Sequence, residues 1–201
     1  MDWFQDLVKA EGSISSAFNS YQVQKIPGSG SFGTVGLCYK NNTDQMVALK
    51  LVKSPDHEWF CSFMYNGHFC HEYEVLDISL GDFVKKSSTL PLHHIWPILT
   101  QMADALKFLK SFIIIHGDLK PDNIMMVDHV RKPLQVKIID FGLARPAYLA
   151  KQGISFGTLC YSAPEMALGA PMHYALDMWS LGCIDAEMFL GQLLLSAEKS
   201  W

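Results

Sequence analysis

Four polar residues in the second half of the chain have the types and the order that proton transfer and cation binding require. Residues 116–123 have the sequence HGDLKPDN, and Asp140 follows in the run Ile-Ile-Asp-Phe-Gly. An aspartate such as Asp118 can accept a hydroxyl proton, and a lysine such as Lys120 can neutralise charge that develops on a phosphate. Asn123 and Asp140 carry oxygen ligands of the kind that bind Mg²⁺. The ordered set indicates phosphate chemistry more strongly than any member alone.

A glycine cluster in the first half could cover phosphates. Gly28, Gly30 and Gly33 form a G-x-G-x-x-G motif between two strand-like segments. The dinucleotide-binding form of this motif needs a helix to open at the third glycine, whereas Thr34-Val35 continues as a strand. The pattern therefore favours a flexible flap whose backbone N–H groups cover phosphates. Lys50 lies in an otherwise apolar strand, where burial demands an anionic partner.

The elements that must position these residues change in type along the chain. Residues 34–39 and 46–52 alternate like strands. Ser54-Pro55-Asp56 resembles a helix start, but Asn66-Gly67 between aromatic-rich runs is a strong hairpin signal, so a hairpin is predicted. Apolar residues at three- and four-residue steps predict helices in the second half, over 92–109 and 175–190, the latter ended by Gly191.

The composition excludes several classes of function. Asp and Glu number 20 against 16 Lys and Arg, and Arg131 and Arg145 are the only arginines. Proteins that bind nucleic acids usually rely on arginine, so no direct nucleic-acid binding is expected. The five cysteines are scattered without a C-x-x-C pair, which is typical of free thiols in a reducing compartment. No leader is visible, and no apolar run approaches the roughly 20 residues of a membrane span, so an intracellular protein without membrane association is expected.

Together these motifs resemble those of the protein kinase family. The resemblance implies that Lys50 holds the α- and β-phosphates of ATP and that Asp118 is the catalytic-loop aspartate. It also implies that Asn123 and Asp140 bind Mg²⁺. Lys120 stands at the position found in serine/threonine kinases. ATP and Mg²⁺ are therefore the implied cofactors, and a hydroxyl group of a protein substrate is the implied acceptor.

Two downstream segments extend the resemblance. Residues 157–165 (GTLCYSAPE) match the substrate-docking segment of the family, in which Thr158 would bond to the catalytic aspartate and lysine. Residues 177–183 (DMWSLGC) match the buried helix that anchors the catalytic loop. On the adenine side, the resemblance implies backbone hydrogen bonds from Glu74 to Leu76. It also implies apolar contacts to the ring from three residues, Val35, Ala48 and Met125.

Within the family, the runs DLKPDNIMMVD and MWSLGC are most similar to the homeodomain-interacting protein kinases, which implies a location in the nucleus or the cytoplasm. Gly117 replaces the usual arginine, and that subfamily also has a small residue there. Two positions depart from the pattern, since Ser155 lies where the subfamily carries its activating tyrosine and Ser162 replaces the arginine before Ala-Pro-Glu. With so few arginines to receive a phosphate, no dependence on activation-loop phosphorylation is expected.

The chain is short for the family at two places. The 19 residues from Ser54 to Glu72 are too few for a helix of about 11–12 residues, two strands and their loops. The front-lobe helix and its glutamate are therefore expected to be missing, and Glu58 is the nearest substitute. Ten residues follow Gly191, so later helices are also expected to be missing and Glu165 is left without its arginine. Asp185 falls on the apolar face of the last helix, where burial without a partner would be costly.

The expected architecture is α+β and kinase-like, in a shortened form. It comprises an N-terminal tail over 1–20, an ATP-binding lobe of antiparallel sheet without its usual helix over 21–75, and an incomplete helical lobe over 76–201. The expected function is that of an ATP-dependent serine/threonine protein kinase. The alternative is a catalytically impaired, pseudokinase-like module that binds nucleotide or a partner.

Two further hypotheses have less support. His-Gly-Asp-Leu also resembles the catalytic run of aminoglycoside and choline kinases, but the Ala-Pro-Glu segment argues against a small-molecule kinase. A metal cluster could be formed by Cys61, His68, Cys70 and His71. Their spacing lacks paired ligands and alternating strand faces would separate the side chains, so an ordinary hairpin is favoured.

Overall fold

The computed structural model describes residues 12–30, 33–41, 43, 45–52, 62–150 and 157–195. These residues form two compact units, one ending at Val75 and the other beginning at Leu76. The first unit is an antiparallel sheet, and the second combines helices with short antiparallel strand pairs. The α+β class expected from the sequence is therefore confirmed.

The first unit is a six-stranded sheet in the order β1-β2-β3-β4-β6-β5. Its strands are β1 (Ser13–Ser15), β2 (Ser20–Gly30), β3 (Gly33–Lys40), β4 (Gln45–Val52), β5 (Phe63–Tyr65) and β6 (His68–Glu74). In β4, alternate residues Val47, Leu49 and Leu51 are buried in an apolar cluster. Successive strand residues point to opposite faces, so the residues between them lie on the other face of the sheet.

The N-terminal part of this sheet differs from the tail expected over residues 1–20. Ser13–Ser15 pairs with β2, and Ile14 is fully buried in the apolar cluster. One apolar residue among serines produces no alternating pattern, so a strand of three residues gives no sequence signal. The first eleven residues lie outside the described part of the chain.

The hairpin predicted at Asn66-Gly67 is confirmed by the pairing of β5 with β6. Both turn residues have positive φ angles, 46° and 74°, as the tight hairpin turn requires. The first strand begins at Phe63. Residues 53–61, which include Glu58 and most of the span where the front-lobe helix was expected to be missing, lie outside the described residues.

The second unit is built around helices whose apolar faces meet in one cluster. Its described elements are α1 (Leu80–Ser87), α2 (Leu92–Ser111), β7 (Ile114–Ile115), β8 (Ile124–Asp128), β9 (Lys132–Ile138), β10 (Arg145–Pro146), α3 (Pro164–Ala167) and α4 (Ala175–Leu190). The two helices predicted from periodicity, α2 and α4, are confirmed. Gly191 ends α4 with a φ of 71°. No helix among the described residues is long and apolar enough to cross a bilayer.

The β8–β9 hairpin positions two of the candidate metal ligands. Ile124 pairs with Ile138 at the open end of the hairpin, so Asn123 and Asp140 flank the same end. Gln101 fixes this hairpin to α2, because its amide donates to the carbonyl of Leu134 at 2.8 Å and accepts from the N–H of Val136, also on β9, at 3.1 Å. The helix and the hairpin together support the loops that contain the candidate site residues.

Candidate active site

Asp118, Lys120 and Thr158 form a closed triangle of hydrogen bonds. The Lys120 ammonium lies 2.9 Å from one carboxylate oxygen of Asp118 and donates to the Thr158 hydroxyl at 2.8 Å. That hydroxyl donates to the other Asp118 oxygen at 2.8 Å. Asp118 is 7 % exposed, so its carboxylate is held by the protein on most sides. The three residues that the sequence singles out for catalysis are thus in contact.

Asn123 contacts the same aspartate. Its amide nitrogen donates to the Asp118 backbone carbonyl at 2.8 Å and to the Asp118 carboxylate at 3.1 Å. Because both bonds use the nitrogen, the side-chain oxygen of Asn123 is the atom left to act as a cation ligand. The Asn123 carbonyl accepts from the N–H of Ile139 at 2.9 Å, which ties this residue to the segment leading into Asp140.

Asp140 has a left-handed backbone conformation, with φ 60° and ψ 70°. One of its carboxylate oxygens accepts from the N–H of Gly142 at 3.3 Å. Phe141 lies edge-on to the ring of His116, with 4.9 Å between ring centroids, and His116 also contacts the Ile139 carbonyl at 3.1 Å. The fully buried His116 therefore links the catalytic loop to the Asp-Phe-Gly segment, a role that its sequence position alone did not indicate.

Asp177, on α4, holds the start of the catalytic loop. Its carboxylate accepts the backbone N–H of His116 at 2.8 Å and that of Gly117 at 3.0 Å. Burial raises the pKa of Asp177, and the two N–H bonds oppose this rise without cancelling it. Gly117 has a φ of 80°, a conformation that favours glycine, which accounts for glycine at the position where arginine is usual.

Gly157 brings the substrate-docking segment against the catalytic loop. A side-chain carbon at this position would lie 2.5 Å from the carbonyl oxygen of Gly117, and the φ of Gly157 is 88°. Both facts restrict the position to glycine, because only glycine permits this approach at this φ. The contact sets the position of Thr158, the next residue in the chain.

Tyr161 fastens the same segment to α4. Its hydroxyl donates to Glu187 at 2.5 Å, and its carbonyl accepts from the Ser180 hydroxyl at 2.8 Å. Burial and the neighbouring Glu187 carboxylate raise the pKa of Tyr161, so the hydroxyl stays protonated as the donor. Ser162, which replaces an arginine of the family pattern, donates to the Thr158 carbonyl at 3.1 Å. These bonds fix the chain on the C-terminal side of Thr158.

The candidate nucleotide-binding residues Gly28, Val35, Ala48 and Lys50 of the first unit share one face of its sheet. Val35 lies opposite Lys50 in the β3–β4 pair, and Ala48 is two residues from Lys50 on the same strand. Gly28 lies opposite Val35 in the β2–β3 pair. Lys50 also lies opposite His71 of β6, which is 7 % exposed. His71 is a further candidate residue of the nucleotide-binding face, because it lies opposite Lys50. The alternation of side chains along β6 identifies it only once the register of the strands is known.

Two glycines of the G-x-G-x-x-G cluster close the β2–β3 hairpin. Gly30 lies opposite Gly33 at its end. Gly33 has a φ of 135°, and a side-chain carbon there would come within 2.2 Å of the Leu51 carbonyl oxygen. The strand conformation after Gly33 agrees with a flap and not with the helix of a dinucleotide site. Residues 31–32 at the tip lie outside the described residues.

The candidate adenine contacts of the second unit lie beside each other. Leu76 is followed by Asp77, whose N–H donates to the Met126 carbonyl at 2.9 Å, and the Met126 N–H donates to Ile78 at 2.9 Å. The segment after Leu76 therefore runs next to β8, which carries the partly buried Met125. Glu74, the remaining candidate, is the last residue of β6.

For three residues the sequence indicates an unusual position or a missing partner, and the structure describes two of them. Ser155 lies outside the described residues. Glu165, at the start of α3, has no side-chain partner within the described parts of the chain. Asp185 is partly exposed on α4 and likewise has no partner among the residues described, so it does not carry the cost of full burial.

Comparisons with known proteins agree with this geometry. The protein kinase domain model matches residues 57–200. The chain therefore belongs to the protein kinase family, and the resemblance seen in its motifs is confirmed.

Curated relatives place the similarity more narrowly. Homeodomain-interacting protein kinase 1 of Mus musculus is 42 % identical over 89 % of this chain and 17 % of the relative. Homeodomain-interacting protein kinase 1 of Caenorhabditis elegans is 38 % identical over 97 % of this chain and 26 % of the relative. The chain thus spans about a sixth to a quarter of the length of these relatives. A solved crystal structure of a kinase domain is 26 % identical, with a TM-score of 0.77 over 88 % of this chain and 66 % of that one.

Proposed function

We propose that the chain is an ATP- and Mg²⁺-dependent serine/threonine protein kinase that transfers the γ-phosphate to hydroxyl groups of protein substrates. The observation that carries the proposal is the triangle of Asp118, Lys120 and Thr158, with bonds of 2.8–2.9 Å. An aspartate alone is common. Here one carboxylate oxygen contacts a lysine and the other accepts from a threonine hydroxyl, which fixes the orientation of the carboxylate.

Each member of the triangle has a distinct role in this proposal. Asp118 would accept the proton of the substrate hydroxyl, since a carboxylate held beside the nucleophile acts as a base. Lys120 would neutralise charge on the phosphate in transfer. Thr158 would hold the aspartate and the lysine in a fixed position relative to the substrate-docking segment. Lys50, in the first unit, would hold the α- and β-phosphates, beneath the flap that carries Gly28, Gly30 and Gly33.

The residues of the second unit fit a divalent cation. Asn123 presents its side-chain oxygen because its nitrogen is engaged by Asp118, and Asp140 adds a carboxylate from the facing segment. Oxygen donors of this kind suit Mg²⁺, which when bound would neutralise phosphate charge. Asn123 and Asp140 would hold the cation. On the adenine side, Glu74 and Leu76 would supply backbone hydrogen bonds, and the apolar contacts would come from Val35, Ala48 and Met125.

A pseudokinase-like nucleotide- or partner-binding module is the second candidate. Ten residues, 53–62, separate β4 from β5, and a helix of mean length with its two loops needs more. Without a glutamate from such a helix, Lys50 would be oriented less precisely and transfer would be slow. The intact triangle in the second unit favours the enzyme over this alternative.

The deciding experiment compares the wild-type chain with Asp118→Asn. Purified protein is incubated with Mg²⁺ and γ-labelled ATP and a generic basic protein, and the labelled residues are identified as phosphoserine, phosphothreonine or phosphotyrosine. We expect transfer to serine and threonine by the wild type and its loss in Asp118→Asn. Asp104→Asn, an exposed substitution on α2 with no role in the site, is the matched control and should transfer as the wild type does.

A thermal-shift titration with Mg²⁺-ATP separates the two candidates. Both predict that the nucleotide raises the unfolding temperature, because a ligand that binds only the folded state stabilises it. Stabilisation of the wild type without phosphate transfer would support the binding module and contradict the enzyme. Absence of both would contradict nucleotide binding altogether.

The location of the protein follows from its relatives only as a proposal. The similarity to homeodomain-interacting protein kinases supports a nuclear location. A fluorescent fusion imaged in living cells tests it, and exclusion of the fusion from the nucleus would contradict it.

A further inference from the structure

A side-chain contact outside the catalytic triangle joins two distant parts of the second unit. One carboxylate oxygen of Asp77 accepts the backbone N–H of His129 at 2.9 Å. The same oxygen also contacts the ring nitrogen Nδ1 of His129. Asp77 belongs to the segment that follows Leu76, and His129 lies in the turn between β8 and β9. The two residues are 52 positions apart in sequence, so no local pattern connects them.

His129 is held in place by its surroundings as well as by Asp77. The turn itself is closed by Asp128, whose carboxylate accepts the N–H groups of Val130 at 3.1 Å and Arg131 at 2.8 Å. The Phe83 ring of α1 stands edge-on to the imidazole, with 6.5 Å between centroids. The ring is therefore directed at Asp77 by a turn on one side and an aromatic contact on the other.

The backbone adds a second connection between the same two segments. The Asp77 N–H donates to the Met126 carbonyl at 2.9 Å, and Ser79 forms an isolated bridge with Met125. Asp77 thus contacts the β8–β9 hairpin at two places, in the middle of β8 through its backbone at Met126 and just beyond the end of β8 through its carboxylate at His129. Two attachments on one residue fix the course of the chain next to it.

We propose that Asp77 and His129 are positioning residues for the adenine side of the nucleotide site. Their contact fixes the chain that follows Leu76 against β8, and so sets the backbone of Leu76 relative to the side chain of Met125. The inference rests on the proposed function, which assigns both of those residues to adenine. The Asp77 and His129 side chains are 31 % and 36 % exposed, and polar side-chain contacts so exposed contribute little to stability, so the expected effect is on nucleotide affinity.

The test is a steady-state comparison of Asp77→Ala, His129→Ala and His129→Asn with the wild type. His129→Ala, which removes only the ring contact, should raise the KM for ATP by about 5- to 10-fold, and Asp77→Ala, which also removes the backbone bond, should raise it by at least as much. In both variants kcat and the KM for the protein substrate should stay within about twofold of the wild type. His129→Asn should restore most of the affinity, because its amide can donate from a position close to that of Nδ1. Asp104→Asn again serves as the control and should change none of these constants.

The outcomes separate the inference from the proposed function. If the alanine variants bind ATP as the wild type does, the positioning role is wrong while the kinase assignment stands. If kcat, both KM values and the unfolding temperature all change together, and His129→Asn does not rescue, the pair is merely structural and the inference is overturned. If the wild type itself neither transfers phosphate nor binds ATP by calorimetry, the proposed function fails first and the inference falls with it.

Discussion

The anchoring of the catalytic loop by Asp177 gives a prediction that does not depend on catalysis. Asp177 is 4 % exposed, and its two carboxylate oxygens accept from two backbone N–H groups, at 2.8 and 3.0 Å. In Asp177→Asn, the side chain keeps its shape but has one oxygen and one NH₂ group. One of the two buried N–H donors must then face another donor, so one charge-assisted bond is lost and one donor is left unpaired.

The expected cost follows from these two losses. A hydrogen bond to a charged group contributes about 1.5–3 kcal/mol, and an unpaired buried donor costs about 1–3 kcal/mol. Because the carboxylate also pays for its own burial, we expect Asp177→Asn to lower the free energy of unfolding by about 2–4 kcal/mol. With a urea dependence of about 2 kcal/mol per molar, the midpoint should fall by about 1–2 M.

Asp185→Asn is the matched control, because the same substitution is made on the same helix. Asp185 has no partner among the described residues and is partly exposed, so its replacement should change the unfolding free energy by less than about 0.5 kcal/mol. The assay is urea denaturation followed by circular dichroism and tryptophan fluorescence. Equal midpoints for Asp177→Asn and the wild type, or equal losses in the two variants, would refute the anchoring argument.

The pH dependence gives a second readout of the same residue. Burial raises the folded-state pKa of Asp177 above its ordinary value of 3.8, so the folded state binds the proton more tightly than the unfolded state does. The contribution of this group to stability therefore declines as the pH rises from 3.8 through the folded-state pKa. This decline should be absent from Asp177→Asn, measured as the difference between denaturation curves across acidic pH.

Three further predictions concern other parts of the chain. Thr158→Val removes the hydroxyl that bridges the triangle, so kcat should fall by about 10- to 100-fold with the KM for ATP unchanged, and Thr158→Ser should recover most of it; a valine variant with wild-type kcat would contradict the role of the bridge. Gly157→Ala places a carbon 2.5 Å from the Gly117 carbonyl oxygen at a φ of 88°, so phosphate transfer should be lost. In the control Gly169→Ala the added carbon meets no atom within 4 Å, so transfer should be retained. Equal activities of the two variants would show that the close approach is not required. Burial raises the pKa of Glu72, but hydrogen bonds from Tyr21 and Lys40 lower it below its ordinary value of 4.5. The contribution of Glu72 to stability is therefore present above pH 4.5 and is lost as the pH falls through the folded-state pKa. Glu72→Gln should abolish that part of the acid dependence of the unfolding free energy. An unchanged dependence at acidic pH would contradict the stabilising role of the Glu72 bonds.

Periodicity was sufficient to find the long elements. The helices α2 and α4 span 20 and 16 residues, long enough for apolar residues to recur several times on one face. The hairpin at Asn66-Gly67 was found because a turn of this type requires two residues that tolerate positive φ. In each case the signal lies within a continuous stretch of sequence, so a single chain reveals it.

Short and non-local features could not be found in this way. The strand Ser13–Ser15 has one buried residue, and α1 has only eight residues with a glycine at its second position. The contact between Asp77 and His129 joins residues 52 apart, and the bonds to Asp177 reach back 60 and 61 positions. Sequence motifs singled out the side chains of the candidate site, but the backbone donors and acceptors that hold them are set by tertiary structure and leave no residue-type signal.

The distribution of contacts predicts how the short first unit would affect catalysis. All of the hydrogen bonds described for Asp118 are made within the second unit: Asp118 accepts from Lys120, Asn123 and Thr158, and its backbone N–H donates to the ring nitrogen of His116. Their support comes in turn from α4 and the β8–β9 hairpin. If the proposed function is right, poor orientation of Lys50 would therefore weaken the hold on the phosphates and leave Asp118, the proposed base, in place. This arrangement favours impairment in the form of slow transfer by an enzyme whose base is intact. Asp118→Asn should therefore abolish even weak transfer.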